Sequence, residues 1–169
     1  LVEEKKNGIS LIEINSETDF VAKNHDFIKF CKELSSLNFF VKGNLEELNL
    51  QKMSDGSLVK DNLVNLIAKI GEKIIIKKAK FFDNSKGSNF FYVHSSIEKN
   101  IGKIISIVKL EGVEKEKNNN IGTKIAMHIT ASNPLAIEKN DIDQTLVNKE
   151  LEIIKAELSN SGKPKDMIE

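Results

Sequence analysis

The sequence predicts an α+β protein of two subdomains, each a small antiparallel sheet with helices packed on one face, plus the start of a helical hairpin. Two patterns carry this expectation. Runs dense in β-branched residues, such as Ile74 to Ile76 and Ile104 to Val108, lie between turn formers and read as strands. Stripes at spacings of three and four, such as Phe27, Phe30, Leu34 and Leu37, read as helices. Strand-plus-helix units occur twice, and the predicted divisions are residues 1–72, 73–140 and 141–169.

Residues 1–17 predict a hairpin at Lys6-Asn7-Gly8, because Asn-Gly suits a tight turn. A helix is expected after the Asn24 cap, with Asp26 in its first turn. A short helix follows around Leu45 to Leu50. A longer one runs from about Ser57 to Ile70, with Val59, Leu63, Leu66 and Ile70 on one face and Gly71 ending it. Residues 73–82, 89–96 and 102–110 read as a three-stranded meander, connected through Asp83 to Gly87 and Glu98 to Asn100.

Residues 111–119 read as a charged, solvated loop, and a helix over 120–132 stops at Asn133-Pro134. The last helix, 145–159, carries Val147, Leu151, Ile154 and Leu158 at heptad-like spacing, and Ser161-Gly162-Lys163-Pro164 ends it. Nothing in the chain covers that stripe, and the N-terminal hairpin lacks a third strand. A returning segment, or a homodimer through this helix, is therefore expected.

Composition excludes several function classes. Twenty-five basic residues, all lysine, balance twenty-five acidic ones. The chain thus has neither the positive field that drives nucleic-acid affinity nor arginine forks for guanine edges. No apolar run approaches the roughly 20 residues of a membrane span. The single cysteine, Cys31, rules out an internal disulfide framework. A cytoplasmic protein, or one of an organelle interior, is expected.

Chemistry-bearing motifs are sparse. No Gly-x-Gly-x-x-Gly or phosphate-binding loop occurs, and Ile70-Gly71-Glu72-Lys73 lacks the spacing of one. His25, His94 and His128 are far apart, so no metal site, cofactor or catalytic residue is assigned. Cys31 falls on the apolar side of its helix and reads as a small buried hydrophobe. Asp19 has no local partner for general base work. Thr18-Asp19-Phe20-Val21 differs, because it places an aromatic between a strand end and a helix start. Phe20 either staples back onto the following helix or meets a partner.

The string Ser16-Glu17-Thr18-Asp19-Phe20-Val21-Ala22-Lys23-Asn24, with Phe27 beyond it, resembles the signature of elongation factor Ts. Further segments resemble that family in the same order: Ile70 to Ile74 running into Lys77-Lys78, Tyr92-Val93-His94, Ile125 to Ile129, and Ser161 to Pro164. By this resemblance an N-terminal helical domain would be expected before Leu1, and the rest of the hairpin and a C-terminal module after Glu169. Lys77, Lys78 and Lys103 stand where arginine is more usual, Thr130 replaces an expected alanine and Ile105 an expected glycine.

The resemblance implies a guanine nucleotide exchange factor for elongation factor Tu, acting in translation without enzymatic chemistry. Asp19 and Phe20 would form a wedge between helices of the GTPase near its Mg²⁺ site, flanked by Thr18 and Val21. Ile70 and Gly71 would pack beside the wedge, and His94, Met127 and His128 would face the partner from the second subdomain. For His128, helix packing is the competing role. The rival functions are a non-exchanging interaction or chaperone-like module on the same fold, and a small hydrolase using Asp19.

Overall fold

The computed structural model describes residues 1–112 and 114–160. By internal contacts the chain divides into two units, residues 1–131 and 132–169. The first holds two small antiparallel sheets with helices, as the α+β expectation requires. Strands β1 (Val2–Lys5) and β2 (Gly8–Ser16) form the expected hairpin. Its turn residues are Lys6 and Asn7, because Gly8 already pairs with Lys5. Gly8 serves close approach instead: a Cβ there would lie 2.4 Å from the Phe82 carbonyl oxygen.

After the single turn α1 (Asp19–Ala22) comes α2 (His25–Val41), capped as the sequence predicts. The Asn24 side chain accepts from the Asp26 and Phe27 amides at 2.9 and 3.3 Å. Helix α3 (Leu45–Asn49) is capped likewise by Asn44, and α4 (Val59–Ile70) ends at Gly71 in the left-handed region, φ 80°. Phe27, Phe30 and Leu34 of α2, Leu48 of α3, and Val59 and Leu66 of α4 share one core with Ile12 of β2. Cys31 is buried in it, as expected.

The meander is a correction. Strand β3 (Ile74–Asp83) pairs antiparallel with β2, so the first sheet has the order β1-β2-β3. Only β4 (Gly87–Glu98) and β5 (Ile101–Glu111) make the second sheet. Burial explains the choice, since Ile74, Ile76 and Ala79 of β3 complete the core under α2. The third strand that the hairpin was expected to lack thus comes from within the chain.

A second correction concerns the charged loop, because residues 115–119 open helix α5 (Lys115–Ser132). Ion pairs from Lys117 to Glu114 and from Lys115 to Glu4 support that polar first turn. Helix α5 buries Gly122 and Ala126, with Gly122 lying against the Phe90 ring of β4. Thr130 is tied to the second sheet, its hydroxyl 2.6 Å from that of Ser106 on β5.

The second unit is described to Asn160. It contains a 3₁₀ turn at Lys139–Asp141 and helix α6 (Gln144–Asn160), on which Leu151 and Ile154 are exposed and Val147 and Leu158 half-buried. The expected break at residues 161–164 lies outside the described residues.

A buried amide ties the first sheet to its helix. Asn38 on α2 donates to Ser10 Oγ on β2 and to the Lys80 carbonyl on β3, both at 2.9 Å. Its own oxygen accepts from the Gly43 amide at 3.0 Å, and Ser35 joins through Ser10. Asn38, Ser10 and Ser35 are fully buried. Asn38→Ala strands these groups and should cost about 2–4 kcal/mol, read as a lowered urea midpoint.

Gly122 is the corresponding constraint under α5. A Cβ there would lie 2.1 Å from Cγ of Phe90, whose ring is buried and cannot retreat. Gly122→Ala should therefore lower the melting temperature. Overpacking at about 1–3 kcal/mol or more outweighs the roughly 1 kcal/mol gained in helix propensity.

Candidate functional site

The candidate residues fall at three places. The first is α1, a helix too short to stand alone. Val21 is its foot, 3% exposed and packed in the core, while Phe20 beside it is 86% exposed. The staple alternative for Phe20 is thereby overturned. Neighbouring residues on one turn point opposite ways, and Val21 takes the inward direction.

Thr18 occupies the N-cap position of α1 in extended conformation, yet makes no capping bond to the helix. Its amide and hydroxyl donate instead to the Glu72 carboxylate, at 3.0 Å for the amide and 2.8 and 3.0 Å for the hydroxyl. In return the Lys73 amide donates to Glu17 Oε2 at 3.3 Å. Glu72 follows Gly71 directly, so these bonds bring the second place, the end of α4 with Ile70 and Gly71, against α1. Ile70 is half-buried on the core, and Gly71 is exposed.

Asp19 reaches the second sheet, where Lys103 Nζ on β5 donates to its Oδ2 at 2.8 Å. That hydrogen bond and charge hold the Asp19 carboxyl below its ordinary value. The adjoining cleft, about 190 Å³, is smaller than the roughly 300–1,000 Å³ of typical ligand pockets. An ionised, exposed carboxylate paired to lysine is poorly placed as a general base. Burial pushes the Cys31 thiol up to about 12, away from the thiolate a nucleophile needs.

The third place is the second sheet with α5. His94 on β4 is exposed, pairs across the strands with Ile104, and lies 3.5 Å through Nδ1 from the Tyr92 hydroxyl. Met127 is 44% exposed, and His128 is exposed too. The buried residues of α5 are Gly122 and Ala126. Sequence reasoning missed Glu72 as a structural partner of Thr18, since nothing local marks a pairing across 54 residues. Among the described residues no three His, Cys, Asp or Glu side chains group as metal ligands, and no helix is long and apolar enough to cross a membrane.

Fold and site together define an α+β protein whose prominent feature is a side chain presented outward on a braced turn. The model of the family described as elongation factor TS matches residues 17–169. Elongation factor Ts of Parvibaculum lavamentivorans is 37% identical over 95% of this chain and 53% of the relative. That of Rickettsia bellii is 35% identical over 98% and 54%, and that of Methylorubrum extorquens 38% over 96% and 53%. The chain belongs to the elongation factor Ts family. It spans about half the length of these curated relatives.

The Asp19–Lys103 pair makes a pH prediction. A carboxylate with a depressed folded value contributes above its unfolded value, near about 3.9, and the contribution is lost as pH falls through the folded value. Lys103→Gln should raise the Asp19 midpoint, followed by carboxyl NMR, back towards the ordinary range. Equal midpoints in the two proteins would remove this ion pair from the account.

Proposed function

We propose that this chain carries the partner-contacting part of a guanine nucleotide exchange factor. It binds a Tu-type GTPase and promotes GDP release in translation elongation, in the cytoplasm or an organelle interior, without a cofactor or catalytic residue of its own. One observation supports this above the others. Phe20 stands out in solvent on a turn held by a buried foot and by side-chain bonds from the α4–β3 connection and from β5.

Such a side chain costs solubility and adds nothing to the core, but it suits insertion between elements of a partner. Asp19 brings a charge to the same tip, and Thr18 and Val21 hold it. Ile70 and Gly71, just before Glu72, would pack beside it. His94, Met127 and His128 offer an exposed second contact surface on β4 and α5. No covalent step is needed, because exchange requires only that the factor bind the nucleotide-free partner more tightly than the loaded one.

Phe20→Ala tests this reading. Loss of an anchor aromatic should reduce binding, or the acceleration of fluorescent-GDP release from the GTPase, by about 2–4 kcal/mol. The melting curve should hardly change, since the ring buries little in the free protein. Undiminished GDP release would defeat the wedge. A wild-type chain that binds the GTPase without accelerating release would be the non-exchanging module instead.

A further inference from the structure

We infer that Glu72 is a positioning residue that preorganises the Phe20 tip for its partner, an inference that rests on the wedge reading above.

The β2–β3 ladder ends at the pair of Ser16 with Ile74. One step further the antiparallel register sets Glu17 opposite Lys73, and a second step sets Thr18 opposite Glu72. Here the chains diverge towards α1 and α4, and side chains replace the missing backbone bonds. The Lys73 amide donates to Glu17, and the Thr18 amide donates to Glu72. The Glu72 carboxylate also receives the Thr18 hydroxyl on both oxygens. These contacts extend the sheet by two residues, up to the first residue of α1.

Two further facts point to presentation of the tip rather than to stability. The clamp is exposed, so its bonds add little to a fold whose core lies elsewhere. The turn it holds leaves its own cap position unused, because the Thr18 hydroxyl is spent on Glu72. Gly71 matters for the same reason. Its left-handed φ of 80° reverses the chain after α4 and returns Glu72 to β2. Without the clamp, the segment before Asp19 would have to be ordered at the moment of binding.

The test is fluorescent-GDP release from the Tu-type GTPase, with Glu72→Ala, Thr18→Val and Phe20→Ala introduced singly and in pairs into the intact protein. Glu72→Ala should slow release at sub-saturating factor by roughly three- to tenfold while leaving the melting midpoint in place. The Thr18 amide should exchange its hydrogen faster in the same variant. Thr18→Val should reproduce the loss, and the Thr18→Val/Glu72→Ala pair should be no worse than either alone. In the Phe20→Ala background, Glu72→Ala should add nothing, since a missing wedge cannot be mispositioned. Glu72→Gln, which keeps an acceptor for Thr18, should recover most of the rate.

Wild-type release by Glu72→Ala would overturn the inference, as would losses that add to those of Phe20→Ala. A Gln variant as impaired as Ala would also overturn it, because the charge would then act on the partner directly. If Glu72→Ala melts early, Thr18→Val carries the comparison from the other side of the clamp. Failure of the wedge reading itself is read separately, from Phe20→Ala alone releasing GDP normally.

Discussion

Much of the first sheet depends on where the Asn38 amide finds its partners. Its two hydrogens go to neighbouring strands, one to Ser10 on β2 and one to the carbonyl of Lys80 on β3. A slip of one residue between these strands would turn every side chain to the opposite face and strand the amide in an apolar interior. The bulge between Glu13 and Ile14 then moves the register by one before the strands end. Register at Ser10 thereby decides what stands opposite what at Ser16, and beyond it that Thr18 meets Glu72. A buried polar contact fixes the exposed geometry at the other end of the strand.

The exposed tip divides its support between two kinds of force. Burying Val21 contributes about 1.5–3 kcal/mol and holds α1 to the core, but a hydrophobic contact has little directional preference. Hydrogen bonds contribute only about 0.5–1.5 kcal/mol each, and less at the surface, yet they constrain direction closely. The core contact therefore settles where the turn sits, while Thr18, Glu72 and the Asp19–Lys103 pair settle how it points. The directional part is the weaker part, so the direction of the tip is more easily lost than its seat on the core.

The legible parts of the fold were those whose causes are local. Asn24 caps its helix through amides two and three residues away, and Gly71 ends its helix by its own backbone freedom. Phe20 stood out as a candidate because it sits between two elements, although spacing alone left open whether it staples onto the following helix. Illegible parts had distant causes. Residues 74–83 have a strand composition that says nothing about which strand they join, and burial under α2 decided for β2. The first turn of α5 looked like loop because its lysines and asparagines carry no apolar stripe. Asn38 and Glu72 are ordinary surface-type residues in the sequence, and their partners lie 28 and 54 positions away.

Rigidity at such a tip has a thermodynamic consequence for the proposed function. A factor shifts its partner between loaded and empty states only by the difference between its affinities for the two. A loose tip could relax against either state, and its own deformation would absorb the strain meant for the partner. On the proposed wedge, a tip braced from the α4–β3 connection and from β5 would give way less, and the cost of insertion would fall on the partner. On that proposal the small surface bonds around Thr18 and Asp19 would matter more than their contribution to folding indicates, since they would decide in which of the two molecules the mismatch is relieved.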